Sequence, residues 1–185
     1  MKKLLLASLL FLTCASNLQC KQLITNQDLD NIQYEIQWKD DCVTHNLHTI
    51  LKINGIDINE ENVYEYSKCP RGGVYSEDAV DYINSTYNTK IQKVSRIDKE
   101  SFISELNNKN VVFIVVKADL FYNNSTYEGE THFLSIVGYE DDNFIVLDTN
   151  KEELQKINCK NIFDCIYIGY TPTTYNCENK YLTSN

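Results

Sequence analysis

Residues 131–149 read THFLSIVGYEDDNFIVLDT, and this stretch decides the fold. Its first run, residues 132–140, is rich in β-branched and aromatic residues, as is typical of a strand. Residues Asp141-Asp142-Asn143 form a turn signal, and a second apolar run follows them up to Asp148. The pattern predicts an antiparallel hairpin in which His132 opens one strand and Asp148 closes the other. The two side chains should therefore lie together at one end of the hairpin.

Cys42 begins the second informative segment. Apolar residues recur after it at helical spacing and Gly55 supplies a stop, which predicts a helix with Cys42 in its first turn. Asp40 or Asp41 is expected to cap this helix. The partial positive charge at a helix N-terminus favours a thiolate. The competing interpretation is that Cys42 is a small buried residue or a disulfide partner.

Gln37, Cys42, His132 and Asp148 occur in this order along the chain. Thiol catalysis needs a thiolate beside an imidazole, and the imidazole needs a group that fixes its tautomer. A side-chain amide can donate to the developing oxyanion. Taken singly, His132 and Asp148 are more simply interpreted as solvated residues. Their joint placement at one end of an apolar hairpin favours a catalytic interpretation.

The other two histidines, His45 and His48, lie on the predicted Cys42 helix. His45 is close to Cys42 in sequence, but neighbouring side chains on one helix point outward together and converge poorly for proton transfer. The spacing of these residues matches no zinc-ligand pattern. We therefore expect no metal and no cofactor.

These segments resemble the papain-like cysteine peptidases, and they are most similar to the bacterial leader-peptidase-like branch. Exporter-linked members of that branch cleave after double-glycine leaders. Members show Gln, then Asp-Cys-Gly before a helix, and later His, Gly-Tyr, an acidic turn and a strand ending in Asp. This sequence has Asp41-Cys42, Gly138-Tyr139 and Asp148, and residues 69–75 resemble the family's link into its next helix. The likeness spans residues 33–150.

The resemblance implies a papain-like α+β fold, with a nucleophile helix and further helices packed on a mainly antiparallel sheet. It implies that Cys42 is the nucleophile and His132 the base. Asp148 would then orient the base, and Gln37 would donate to the oxyanion. Val43 stands where the family usually has Gly, which leaves an altered substrate or a weak enzyme open. We expect a stand-alone secreted cysteine hydrolase, a peptidase or amidase, acting on a peptide or protein.

The rest of the chain independently predicts an α+β domain, because helices come first and strands later. The predicted helices are 59–68, 76–87 with Ser76 as cap, and 98–109 with Asp98 as cap; the predicted strands are 90–95, 111–116 at the centre of the sheet, and 165–170. Residues 118–131 form a polar loop that should border the cleft. Substrate selection and a plain solvated connection are equally compatible with that loop.

Residues 1–16 are interpreted as a signal peptide, because Lys2-Lys3 precede an apolar run too short to span a bilayer as a stable helix. Secreted, periplasmic or cell-envelope localisation is expected, with a lipoprotein acylated at Cys14 or Cys20 as the alternative. Residues 17–185 then form one domain with a cysteine-rich C-terminal tail. We expect a monomer with no membrane span.

The net charge of −9 argues against nucleic acid or an anionic membrane surface as a partner. The chain has seven cysteines. An oxidising compartment predicts disulfides among those that remain after Cys14 and Cys42 are set aside, with a stapled C-terminal tail. A metal cluster at Cys159, Cys165 and Cys177 is the rival interpretation.

Two other functions are compatible with these residues. Transglutaminases and acyltransferases use the same Cys, His, Asp order, and an amine rather than water then captures the acyl-enzyme. A papain-like scaffold without activity would instead serve as a binding module. Val43 and the competition of disulfide formation for Cys42 favour that last interpretation.

Overall fold

The structure is a computed structural model that describes residues 21–36, 41–70 and 72–177. The segment interpreted as a signal peptide, Cys14, Cys20, Gln37 and Asp40 lie outside the described residues. The helices are α1 Asn26–Asn31, α2 Cys42–Ile53, α3 Glu60–Ser67, α4 Ser76–Tyr87, α5 Lys99–Asn107, α6 Ala118–Tyr122 and α7 Cys159–Cys165, with a 3₁₀ turn at Ser125–Tyr127. The strands are β1 Lys21–Gln22, β2 Gln92–Lys93, β3 Asn110–Lys117, β4 Thr131–Glu140, β5 Asn143–Leu147, β6 Gln155–Asn158 and β7 Thr173–Asn176.

The strands form one sheet in the order β2-β7-β3-β4-β5-β6, and β1 pairs with β4. Every strand pair is antiparallel. Strand β3 lies at the centre, and residues 111–116 are all buried, which requires both faces of the sheet to be covered there. The predicted α+β class and the central strand are confirmed.

Strands β4 and β5 form the hairpin that the sequence predicted. Asp141 begins the turn with φ of 54°, a left-handed conformation that Asp tolerates. A register shift between Ile136 and Gly138 marks a bulge in β4. Because β5 ends at Leu147, Asp148 follows directly and comes back beside the start of β4.

Gly138 lets the first strand lie against β4. A Cβ at this position would lie 2.6 Å from the Lys21 carbonyl oxygen and 2.9 Å from the Gln22 Cα atom, closer than atoms of a side chain approach a backbone. The backbones of β1 and β4 therefore come together where only glycine leaves room for them.

Helix α2 begins at Cys42 and packs on β4. Its buried apolar residues, including Leu47, Ile50 and Leu51, are fully enclosed, as the helical spacing predicted. Asp41 occupies the N-cap position, but its side chain makes no capping hydrogen bond, so that part of the prediction is wrong. The helix ends at Ile53, just before Gly55 with φ of +80°.

The caps of the next helices differ. Asp98 caps α5 by accepting a hydrogen bond from the Ser101 backbone amide, as predicted. The predicted cap Ser76 is wrong, because α4 already includes Ser76 and its N-cap residue is Tyr75.

Two strand predictions need correction. The last strand is not 165–170 but Thr173–Asn176, and the preceding Cys159–Cys165 is helix α7. Buried Cys159, Ile162 and Cys165 recur every three residues, a helical period that the short apolar run after Cys165 masked. The predicted strand 90–95 is shortened to Gln92–Lys93.

The predicted disulfides are not supported by the described residues, in which no two cysteines are bonded to each other. Cys159 and Cys165 lie at the two ends of α7. Six residues of helical rise separate their Cα atoms by about 9 Å. A disulfide requires that separation to be below about 7 Å. Within the same described residues, no helix has both the length and the apolar character needed to cross a bilayer.

Candidate active site

The fold brings Cys42, His132 and Asp148 together. His132 Nε2 lies 2.8 Å from Asp148 Oδ1, and both side chains are buried. The Cys42 thiol lines the same cleft as His132 and acts to raise the pKa of that imidazole. Because Nε2 bonds the carboxylate, Nδ1 is the ring nitrogen left available to the thiol. The imidazole therefore stands between a thiol and a carboxylate, with one ring nitrogen for each.

His132 is electrostatically suited to hold a positive charge. Burial alone would lower its pKa, but hydrogen bonds to Asp148 and Cys42 and their charges outweigh burial and raise the pKa to about 9. Burial acts to raise the pKa of Asp148, but the His132 hydrogen bond and charge outweigh it and lower that pKa. The pair therefore favours an imidazolium beside a carboxylate.

Tyr122 is a site residue that sequence reasoning missed. Its hydroxyl lies 2.9 Å from Asp148 Oδ2 and 3.1 Å from Oδ1, and it accepts a hydrogen bond from the Asn150 amide at 3.0 Å. The Asn150 backbone N–H donates to Asp148 Oδ1 at 3.0 Å. Burial and the Asp148 charge raise the Tyr122 pKa, so the phenol keeps its proton and remains a donor. The Tyr-rich composition of residues 118–131 was the available signal, but it did not single out Tyr122.

Tyr122→Phe is expected to lower the free energy of unfolding by about 1.5–3 kcal/mol, because it removes the hydroxyl that bonds a buried carboxylate. Urea unfolding measures the loss. Tyr127→Phe is the matched control, since Tyr127 packs against the Tyr122 ring but is 39% exposed. Equal losses in the two variants would contradict the assigned hydrogen bonds.

Val43, the departure from the family pattern, is accommodated without strain. It lies within the regular turns of α2, is only 5% exposed and lines the cleft next to Cys42. A helical backbone accepts Val without the left-handed conformation that would demand Gly. Val43 therefore leaves the helix intact and contributes an apolar wall to the cleft.

Gln37 lies outside the described residues, so its predicted contact with an oxyanion stays a prediction. The chain that leads toward it is fixed at two points. The Tyr34 hydroxyl donates to the Lys151 carbonyl at 3.2 Å, three residues beyond Asp148. His45 Nε2 bonds the Glu35 carbonyl at 2.8 Å. Residues 34 and 35, which precede Gln37, are thus anchored to the segment after Asp148 and to helix α2.

His45 and His48 turn away from the thiol and share one carboxylate. His45 Nδ1 lies 3.1 Å from Glu60 Oε2, and His48 Nδ1 contacts Glu60 Oε1. His48 Nε2 lies 2.8 Å from Asp57 Oδ1. All four ring nitrogens therefore face oxygen acceptors, counting the Glu35 carbonyl, which favours the doubly protonated, cationic form of each ring. This histidine–carboxylate cluster (His45, His48, Asp57, Glu60) joins α2 to α3.

Cys42 and His132 open onto a cleft of about 1180 Å³. Residues from three segments line it: 72–78 at the start of α4, 127–131 before and at the start of β4, and 167–170 after α7. Segment 118–131 thus borders the cleft, as predicted, but the prediction that it is a loop is wrong, because it contains α6 and the 3₁₀ turn. The exposed aromatic residues of the rim are Tyr75, Tyr127 and Tyr167. The volume exceeds that of sites for small molecules, which hold about 300–1,000 Å³.

Two solved structures share this architecture. A protein described as a C39-like peptidase from Bacillus anthracis superposes with a TM-score of 0.63 at 14% identity, over 85% of this chain and 97% of that one. The fold is that of the C39-like peptidases. The peptidase domain of Streptococcus ComA, a bifunctional ABC transporter involved in quorum sensing, superposes with a TM-score of 0.59 at 13% identity, over 76% of this chain and 94% of that domain.

Beyond the short motifs around Cys42 and His132, the likeness to C39-like peptidases is one of structure at low sequence identity. No protein-family model and no curated protein matches the chain. The C39-like fold agrees with the papain-like branch predicted from the Cys42 and His132 segments. At these identities it establishes the fold and leaves the activity to the site residues.

Proposed function

We propose that this protein is a cysteine peptidase with Cys42 as nucleophile, His132 as base and Asp148 as the residue that orients the base. The observation that carries the proposal is the line of side chains Cys42, His132 and Asp148, in which Nε2 of the imidazole bonds the carboxylate and the thiol acts on the pKa of the same ring. The C39-like fold and the cleft of about 1180 Å³ onto which Cys42 and His132 open support it.

The proton moves along this line. In neutral His132 the Asp148 carboxylate keeps the ring proton on Nε2, so Nδ1 accepts the thiol proton. The Cys42 sulfur forms a bond to the scissile carbonyl carbon, and the π electron pair of the C=O bond moves onto the oxygen. The tetrahedral intermediate collapses to a thioester as His132 returns the proton to the leaving amine. Water then adds to the thioester with His132 again as base, which releases the acid and restores the thiol.

The oxyanion needs donors close to Cys42. The Cys42 backbone N–H is at the start of α2, where a helix provides no acceptor for it. We propose that this N–H and the Gln37 amide donate together, as the family resemblance implies. Among the residues that the structure describes, Cys42 is not bonded to another cysteine, which is compatible with this role.

The first test is alkylation of Cys42 by iodoacetamide across pH, with peptide mapping, in the wild type and in His132→Ala. We expect selective labelling of Cys42 already at about pH 6, where ordinary thiols are almost unreactive. In His132→Ala the labelling should shift to alkaline pH. A Cys42 that reacts identically in both proteins would contradict the proposal and favour a binding module.

A further inference from the structure

Asn46 is a completely buried polar residue on the helix that carries Cys42. It lies one turn after Cys42 in α2 and is 0% exposed. A buried amide costs free energy unless it is hydrogen-bonded, so its partners matter. Residues four apart lie on the same face of a helix. Asn46 therefore faces the same strand that Cys42 approaches.

The Asn46 amide is bonded to the two segments that carry His132 and Asp148. Its Nδ2 donates to the Phe133 carbonyl at 3.0 Å, next in sequence to His132. The same Nδ2 donates to Thr149 Oγ1 at 3.3 Å, next in sequence to Asp148. Its Oδ1 accepts from Ser135 Oγ at 2.5 Å. The Asn46 side chain thus connects helix α2 to the neighbour of His132 and to the neighbour of Asp148.

The Asn46 hydrogen bonds give α2 a defined orientation, which apolar packing alone does not provide. Buried leucine and isoleucine side chains hold the helix on the sheet, but hydrophobic burial is non-directional and tolerates small slides and rotations. Hydrogen bonds lose strength steeply with angle and distance. The Asn46 bonds therefore set the rotation and the axial position of α2 relative to β4.

We propose that Asn46 is a positioning residue that places the Cys42 thiol against His132. This inference rests on the proposed peptidase function. Asn46 does not touch the substrate or the reacting atoms. It acts by fixing the position of α2, which carries Cys42, relative to the β4–β5 hairpin, which leads from His132 to Asp148.

The test is the pH profile of Cys42 alkylation in Asn46→Ala, measured beside the wild type. We expect the rate at about pH 6 to fall by up to a hundredfold and the profile to move toward that of His132→Ala, because a displacement of about 1 Å is enough to lose such alignment. With a substrate in hand, kcat should fall more than KM changes, since the cleft walls stay in place.

Asn54→Ala is the matched control. Asn54 is a second buried amide on the C-terminal end of the same helix, and its Nδ2 donates to the Ile50 carbonyl and the Cys177 sulfur rather than to β4. Its loss should lower stability but leave the pH profile of Cys42 as in the wild type. A purely structural role for Asn46 would make the two variants behave alike.

Thr149 provides a gentler pair of variants if Asn46→Ala does not fold. Thr149→Val removes the hydroxyl that accepts from Asn46, whereas Thr149→Ser keeps it. We expect a shifted alkylation profile in the first and a wild-type profile in the second.

The outcomes separate the two proposals. A wild type without His132-dependent labelling at low pH contradicts the peptidase. A wild type with that labelling and an unchanged profile in Asn46→Ala, or in Thr149→Val, overturns only the positioning role.

Discussion

Cys42→Ala is expected to lower peptide hydrolysis by about 10⁴-fold or more, because it removes the sulfur that we propose as the nucleophile. The fold should survive. Cys42 is only partly buried, and the core face of α2 is formed by fully enclosed residues such as Leu47 and Ile50. Loss of the thiol therefore removes chemistry and little packing.

A peptide library that includes Gly-Gly sequences, with products identified by mass spectrometry, measures this loss. Cys159→Ala is the matched control. Cys159 follows β6, and its backbone amide bonds the Asp142 carbonyl at the turn, the opposite end of the hairpin from His132. We expect that variant to keep wild-type turnover. Cleavage that persists in Cys42→Ala would mean that another group is the nucleophile.

Glu60→Gln is expected to lower the free energy of unfolding by about 3 kcal/mol near pH 6, because it leaves two half-buried imidazolium groups without their shared carboxylate. Both rings bond Glu60 through Nδ1. In the variant one of them must face an amide N–H, which repels a second donor. Urea unfolding across pH measures the effect.

The pH dependence of this loss has a defined sign. Despite the lowering effect of burial, hydrogen bonds to Glu60 and the carboxylate charges raise the pKa of His45 and His48. Groups with raised pKa values stabilise the fold below their unfolded pKa, about 6.5, and lose that contribution as pH rises through the folded values. Burial would raise the pKa of Glu60, but the two histidines lower it to about 2. Its contribution is present above its unfolded pKa of about 4.3 and disappears toward pH 2.

The difference between wild type and Glu60→Gln should therefore be largest between about pH 5 and pH 6.5 and should shrink on either side. His132 adds its own loss of stability as pH rises toward its pKa of about 9, but equally in both proteins. Glu61→Gln, an exposed neighbour on the same helix, is the control and should change little. A difference that is constant across pH would contradict the ionic character of the cluster.

The sequence was sufficient for the hairpin because its signals are local. The β-branched and aromatic composition and the Asp-Asp-Asn turn signal predicted β4 and β5. Because the two strands of a hairpin are antiparallel, His132 at the start of β4 comes to lie beside Asp148 after the end of β5. The buried run 111–116 likewise predicted a central strand. The first turn of α2 followed from apolar spacing after Cys42.

Other features depend on contacts between distant segments. Helix α7 was not predicted, because its buried face needs only three residues, and the apolar residues after Cys165 suggested a strand at 165–170 instead. Strand β1 has two residues and exists through its pairing at Gly138. Tyr122 and Asn46 look like ordinary residues until the fold brings Asp148 to one and the hairpin backbone to the other.

The residues around the cleft fall into two groups that are under different structural constraints. Cys42, His132 and Asp148 are set by a helix and a hairpin whose geometry is fixed by hydrogen bonds. The cleft rim comes from loop regions around Tyr75, Tyr127 and Tyr167, outside the named strands. Loops accept substitutions and insertions far more readily than paired strands do. This scaffold can therefore diversify what it recognises without rebuilding the reaction centre, which makes the rim the place to graft a new specificity.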